Sequence, residues 1–151
     1  MPPAYPDASE DGSEVVYQLT AWNRQGRPGH TYESSAGFRL PNSAVRAPNA
    51  SWMSCARREA AEPAGGFLAA CPEFVVEMKS PSDHLATLQA KMGEYLANGV
   101  LLGFLLDVEA ETAYVYRSGQ PAETVQGYDQ VLSAEPVLPG FRLDLRPLRR
   151  H

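Results

Sequence analysis

A carboxylate and an ammonium lie two positions apart at the end of an apolar run in this chain. Residues 74–79 read Phe-Val-Val-Glu-Met-Lys, and Ser-Pro-Ser follows at once. Because alternate side chains of a strand share a face, Glu77 and Lys79 are predicted to project together. Opposite charges at the end of a buried strand cost free energy unless they are paired or bound to a ligand. The segment therefore indicates either a catalytic site or a solvent-exposed ion pair on an edge strand, and by itself it leaves both open.

A polar side chain from a second predicted strand completes a candidate site. Residues 45–53 alternate in character, so Asn49 would lie near Glu77 if the two strands are neighbours. Carboxylate and amide oxygens beside a lysine suit a hard divalent cation such as Mg²⁺. Such an ion activates a water molecule and neutralises charge on a phosphodiester, while the lysine steadies the attacking hydroxide or the pentavalent phosphate. This combination predicts nuclease chemistry.

A strand, a helix and a second strand are predicted to position the charged pair. Ser82 is the expected N-cap of the helix, and Asn98-Gly99 is expected to end it. Apolar residues recur between these limits at helical spacing, at Leu85, Leu88, Met92 and Leu96. Residues 100–107 are almost continuously apolar, which is typical of a strand buried on both faces.

The rest of the chain is predicted to form one further helix, loops and hairpins. Residues 1–12 are expected to be irregular, and Asp11 with Glu14 resembles a capping box that opens a helix ending near Gly26. The other predictions are a hairpin of residues 30–40 and 45–53, a loop over 54–72 with a short helical turn at 57–62, a hairpin of 112–117 and 122–126, and a tail over 137–148 that packs onto the domain. The expected fold class is α/β, with a mixed sheet.

Size, charge and cysteine content restrict the class of protein. The chain has 151 residues and 44% hydrophobic residues, which suits one soluble domain with a substantial core. It contains neither a signal peptide nor an apolar run long enough to span a bilayer, so cytoplasmic residence is expected, without a membrane partner. The net charge of −5 argues against non-specific attraction of the whole surface to nucleic acid but leaves a local basic groove open. Cys55 and Cys71 lack ligand spacing for zinc.

Short stretches of the chain resemble one nuclease family. Pro48-Asn49 followed by Glu77-Met78-Lys79 looks like the Pro-Asp … (Asp/Glu)-x-Lys signature of the PD-(D/E)xK superfamily. The surrounding stretches are similar in order and spacing to the Uma-two family of restriction endonucleases over nearly the whole chain. They are Trp22-Asn23-Arg24-Gln25, Gly37-Phe38-Arg39-Leu40-Pro41-Asn42, Ala50-Ser51-Trp52, Phe74-Val75-Val76-Glu77, Ser80-Pro81-Ser82-Asp83, Lys91-Met92 with Glu94-Tyr95, Asn98-Gly99 and Leu138-Pro139-Gly140-Phe141.

The resemblance implies a single restriction-endonuclease-like domain over residues 13–151, with a mixed β-sheet flanked by helices. It implies a phosphodiesterase that uses Mg²⁺ or Mn²⁺, with DNA as substrate or ligand. Carried over by position, Glu77 would be the metal-binding carboxylate and Lys79 the catalytic lysine.

Three further residues are accessory candidates in the resemblance. Glu14 lies on the first helix, where the family often has an acidic residue, and would be an added ligand or a water-orienting group; a first-turn helix charge is the alternative. Lys91 and Tyr95 lie four positions apart on one helix face and would touch substrate phosphate. A lysine that extends along the surface beside a half-buried tyrosine explains the same spacing.

Two departures from the family pattern bear on activity. Asn49 stands where the family has its metal-binding Asp, and an amide oxygen supplies no negative charge, so weaker Mg²⁺ binding and weak or lost catalysis are expected. A catalytically degenerate nuclease fold that binds nucleic acid or protein is the alternative function. The chain also starts inside the family pattern, without the usual N-terminal strand region; the exposed sheet edge expected from this would be covered in a homodimer, or the start site is placed too far downstream.

Overall fold

The structure, a computed structural model, describes residues 6–149 and is organised around a six-stranded mixed sheet. In spatial order the strands of this central sheet are β1 (Gly29–Glu33), β4 (Ala50–Ser54), β7 (Phe74–Met78), β8 (Leu102–Asp107), β9 (Thr112–Arg117) and β10 (Glu123–Gln126). Only β7 and β8 are parallel among these neighbours, and helix α3 (Leu85–Ala97) connects them. The predicted α/β fold class and the strand, helix, strand unit are confirmed.

Two smaller sheets and two more helices complete the described part. Helix α1 spans Pro6–Asn23, helix α2 spans Cys55–Ala60, and a 3-10 turn covers Arg146–Leu148. A four-stranded sheet has the order β3 (Val45–Arg46), β2 (Phe38–Arg39), β6 (Phe67–Ala69) and β5 (Glu62–Ala64), and a two-stranded sheet pairs β11 (Val131–Ser133) with β12 (Arg142–Asp144). Among residues 6–149, no helix combines the length and the apolarity that crossing a membrane requires.

The central strands are buried on both faces. Phe74 and Val76 pack on one side with residues of α1 and of the C-terminal tail. Val75 packs on the other side with Met92 and Tyr95 of helix α3. Because the sheet separates two cores, β8 needs apolar side chains on both faces, which explains its continuous apolar sequence.

A glycine of β8 lies under a methionine of helix α3. A Cβ atom on Gly103 of β8 would lie 2.5 Å from Cε of Met92, well inside van der Waals contact. The missing side chain therefore makes room for the end of the Met92 side chain over the parallel strand pair. The same helix carries the residues that reach Glu77, described below.

Several predicted boundaries are wrong near the N-terminus and at helix α3. Helix α1 begins at Pro6, so residues 6–12 are helical instead of irregular, while residues 1–5 lie outside the described part. Asp11 is a buried residue within α1 and does not cap it. Ser82 does not cap α3 either, because His84 occupies the N-cap position without a side-chain cap bond.

Two extended segments also differ from prediction. Residues 45–53 do not form one strand: β3 completes the predicted hairpin with β2, whereas β4 joins the central sheet. The chain breaks at Pro48, which has no amide hydrogen to donate to a ladder. Residues 54–72, predicted to be a loop with a helical turn, contain α2 and the hairpin of β5 and β6.

Candidate functional site

Glu77 is a buried carboxylate on the α3 side of the central sheet. Its backbone pairs with Leu105 in the parallel ladder of β7 and β8, and its exposed fraction is 4%. The hydroxyl of Tyr95 donates a hydrogen bond to Oε2 of Glu77 at 2.7 Å. The ammonium of Lys91 lies 3.2 Å from the same oxygen. Lys91 and Tyr95 share a helix face, as predicted, but this face is turned to Glu77.

Burial and these two neighbours act in opposite directions on the acidity of Glu77. Burial raises the pKa of the Glu77 carboxyl, and the nearby Asp83 charge adds to that effect. Lys91 and the Tyr95 hydroxyl lower the same pKa because they stabilise the charged form. Burial, followed by the charge of Glu77, raises the pKa of Tyr95, so its hydroxyl keeps the proton that it donates.

Asn49 lies next to Glu77 across the β4–β7 ladder. Ala50 pairs with Val76, so the antiparallel register places Asn49 opposite Glu77, as predicted. The side-chain Oδ1 of Asn49 accepts a hydrogen bond from the backbone N–H of Met78 at 2.8 Å. An amide oxygen has a second lone pair, which this bond leaves free for a ligand.

Lys79 extends the same strand beyond its last ladder residue. Its backbone N–H donates to the carbonyl oxygen of Leu106 at 2.9 Å, so the chain is still held against β8 at this point. Its ammonium is 3.5 Å from the carbonyl oxygen of Ser80. Among the described ion pairs, Glu77 has Lys91 as its partner and not Lys79. Lys79 is therefore close to Glu77 in sequence but does not form an ion pair with its carboxylate.

Asp83 is a site neighbour that sequence reasoning missed as a functional residue. Its Oδ2 accepts hydrogen bonds from the backbone N–H and the hydroxyl of Ser80, each at 2.8 Å, and so fixes the turn that follows Lys79. Its signal was present in the Ser80-Pro81-Ser82-Asp83 stretch of the sequence, since an Asp three residues after a turn residue often bonds back to the backbone.

Glu14 has a different environment. It accepts a hydrogen bond from the side-chain amide of Gln18 at 2.9 Å. Gln18 in turn donates to the carbonyl oxygen of Asp144 in β12 at 3.0 Å and accepts from its N–H at 2.8 Å. The described contacts of Glu14 thus belong to the packing of α1 against the C-terminal tail.

Two grooves each contain one of the candidate residues. One, of about 890 Å³, follows helix α1 and is lined by Tyr17, Arg24, Glu33 and Asn49 among others. The other, of about 520 Å³, lies between β3 and α3 and contains Lys91 in its wall. Asn49 thus lines the groove beside α1, and Lys91 lines the groove between β3 and α3; each groove is large enough for part of a polymer.

The oxygen donors present fit a hard divalent cation in kind, but with little charge. Glu77 offers a carboxylate and Asn49 an amide oxygen, and both are ligand types that Mg²⁺ accepts. Within residues 6–149, no three His, Cys, Asp or Glu side chains come together as a ready metal cluster. Two ammonium groups, of Lys79 and Lys91, lie on or beside the same strand end.

A mixed sheet with a central parallel pair, flanked by helices and carrying Glu77 and Lys79 at a strand end, defines a protein with a restriction-endonuclease-like fold. The family described as "Uma2: Putative restriction endonuclease" matches residues 1–146, and the chain belongs to this family. The predicted family resemblance is confirmed.

A solved structure supports the same fold. It is described as a "putative nuclease belonging to DUF820 from Anabaena variabilis ATCC 29413" and superposes with a TM-score of 0.82 at 19% sequence identity. The alignment covers 97% of this chain and 82% of that chain. Comparison with curated proteins gives no match.

Proposed function

We propose that this protein hydrolyses phosphodiester bonds of DNA with the help of Mg²⁺ or Mn²⁺, and that Asn49 weakens this activity. The observation that carries the proposal is the buried Glu77 facing Asn49 across two paired strands, with Lys79 two residues further, in a chain of a restriction endonuclease family. The groove that contains Asn49 and the groove that contains Lys91 are the candidate paths for a nucleic acid strand.

Each residue has a distinct proposed role. Glu77 and the side-chain oxygen of Asn49 would hold the metal ion, which activates water and neutralises charge on the phosphate when bound. Tyr95 holds Glu77 through Oε2, so Oε1 is the oxygen presented to a ligand. Lys79 would stabilise the attacking hydroxide or the developing phosphate charge, since within residues 6–149 its ammonium contacts only a backbone carbonyl, at the long distance of 3.5 Å.

A second candidate function is metal-independent binding of DNA by a degenerate site. It is favoured by the contact of Lys91 with Glu77, which already supplies a positive charge to the single carboxylate. A site with two lysines and an amide in place of an aspartate attracts a phosphate more strongly than a divalent cation.

We propose that either activity takes place in the cytoplasm, where free thiols such as those of Cys55 and Cys71 stay reduced. A homodimer stays a proposal, with β1 and β10 as the edge strands available for pairing.

The direct test is the Asn49→Asp variant in a DNA cleavage assay. We expect cleavage with Mg²⁺ or Mn²⁺ to increase at least about tenfold over the parent, because a second carboxylate strengthens the ion's site. Glu77→Gln in the same background should abolish the gain. Glu123→Gln, an exposed residue of β10, is the matched control for losing one carboxylate elsewhere.

The two candidate functions give different results in the same experiment. Greater cleavage by the parent than by Asn49→Asp would refute the weakening by Asn49. DNA binding that persists in EDTA, with no cleavage by either protein, would support the binding module instead. If the protein neither cleaves nor binds DNA, both candidate functions are overturned.

A further inference from the structure

Lys91 lies against the same carboxylate, Glu77, that the proposed metal ion would use. Its ammonium is 3.2 Å from Oε2 of Glu77, whose side chain is only 5% exposed. A carboxylate this deeply buried is costly when charged and unpaired, so Lys91 supplies its counter-ion within the protein. A divalent cation bound to Glu77 would meet that ammonium at close range.

The repulsion between this ammonium and a divalent cation is stronger in effect because position 49 has no aspartate to offset it. With two carboxylates, a divalent cation and one lysine would leave one excess positive charge in the site, whereas with Asn49 they leave two. With Asn49, Glu77 alone must attract a divalent cation while Lys91 already balances its charge. The ammonium and the cation therefore cannot both be satisfied by one carboxylate.

We propose that Lys91 and the divalent metal ion compete for Glu77, and that metal binding displaces Lys91 into the groove between β3 and α3. This inference rests on the proposed function. In the metal-free protein Lys91 is the built-in counter-ion of Glu77. In the metal-bound protein it becomes a positively charged side chain of the groove, where it contacts the phosphate of a bound DNA strand.

The surroundings of Lys91 allow this movement. Its side chain is 28% exposed, and it lines an open groove of about 520 Å³ together with Val45, Ala47 and Thr87. A lysine has a flexible four-carbon stem, so its ammonium can leave Glu77 without movement of helix α3. Tyr95 stays in place, because it is 1% exposed and its hydroxyl continues to hold Oε2.

The test measures Mn²⁺ affinity without any DNA, by electron paramagnetic resonance of the free ion. We expect Lys91→Met to bind Mn²⁺ about tenfold more tightly than the parent, because an ammonium next to the ligand is removed. Lys91→Arg keeps the charge and should bind like the parent. Lys79→Met should gain less than Lys91→Met, since Lys79 is not in contact with Glu77.

Thermal unfolding gives a second measurement, in which Lys91→Met is expected to lose stability although it gains Mn²⁺ affinity. Without metal, Lys91→Met should unfold at a lower temperature than the parent, because Glu77 loses its counter-ion. Saturating Mn²⁺ should raise its unfolding temperature more than that of the parent. A residue with only a packing role would lower the unfolding temperature and leave the metal affinity unchanged.

Asn49→Asp provides a background in which the affinity is measurable even if the parent binds too weakly. Equal or weaker Mn²⁺ binding by Asn49→Asp/Lys91→Met than by Asn49→Asp would overturn the competition while leaving the proposed nuclease function intact. No Mn²⁺ binding by either variant would overturn the competition and the metal dependence together.

Discussion

Replacing Tyr95 by Phe removes a single hydroxyl from the buried side of Glu77. The hydroxyl donates to Glu77 over 2.7 Å, and the two residues are 1% and 4% exposed. A hydrogen bond to a charged group contributes about 1.5–3 kcal/mol to stability, and Phe keeps the ring and leaves only a small void. Because Lys91 still contacts the same oxygen, we expect the lower half of that range, a loss of about 1.5–2 kcal/mol in the free energy of unfolding.

The measurement is urea denaturation at neutral pH, with an unchanged dependence on urea as evidence of two-state unfolding. Tyr17→Phe is the matched control, because this tyrosine is 67% exposed. Its substitution should change the free energy of unfolding by no more than about 0.5 kcal/mol. Combining Tyr95→Phe with Glu77→Gln in a double-mutant cycle isolates the coupling between the two residues, expected at about 1 kcal/mol or more.

Two results would contradict this reasoning. The first is a loss for Tyr95→Phe no larger than that for Tyr17→Phe, which would mean that the hydroxyl contributes nothing at this site. The second is the same loss with and without the carboxylate of Glu77, which would assign the effect to packing of the ring instead of the hydrogen bond.

The remaining predictions concern packing and pH. Gly29→Ala should destabilise the fold by about 2 kcal/mol or more in urea denaturation, because its Cβ would overlap the backbone carbonyl oxygen of Met53. Gly103→Ala should cost less, since it meets the movable end of a methionine, and an equal or larger loss would contradict this. The hydrogen bond from Arg46, foremost among several causes, lowers the pKa of Glu94. The pair therefore stabilises the fold at pH values above the pKa that Glu94 has in the unfolded state. This contribution is lost as the pH falls through the pKa that Glu94 has in the folded state. Arg46→Ala should therefore raise the pKa of Glu94 in an NMR titration while changing stability by less than about 1 kcal/mol, because the pair lies at the surface and is only partly buried. An unchanged pKa would show that the pair does not form in solution.

Local patterns were sufficient for the elements around the site. The apolar run over residues 100–107 and the helical spacing of Leu88 and Met92 predicted β8 and α3, because both elements bury whole faces that leave a signal in the sequence. Elsewhere the signal was weaker. Helix α1 starts at Pro6 among Pro, Asp and Ser residues that are typical of irregular chain, and its stability comes from packing of Val15 and Leu19 in the core.

The strand predictions failed where pairing depends on residues far apart in the chain. Residues 45–53 alternate throughout, but β3 pairs with β2 and β4 pairs with β1 and β7 in a different sheet. Nothing in the alternation distinguishes one long strand from two short ones, because the side-chain period is the same in both. Pro48, which has no amide hydrogen, is the sequence signal for the break, while the partner strands of each segment are set by tertiary packing.

Sequence by itself determined which chemical groups end β7 and that position 49 has an amide in place of a carboxylate. It also determined that Glu77 and Lys79 are two positions apart along the chain. Tertiary structure alone decided that Asn49 lies across from Glu77 and that the partner of this carboxylate is Lys91 of helix α3. The physical reason is that spacing along a strand or helix is set by local backbone geometry, whereas a contact between a strand and a helix depends on how the two pack. The packing of α3 on the sheet brings Lys91 and Tyr95 to Glu77.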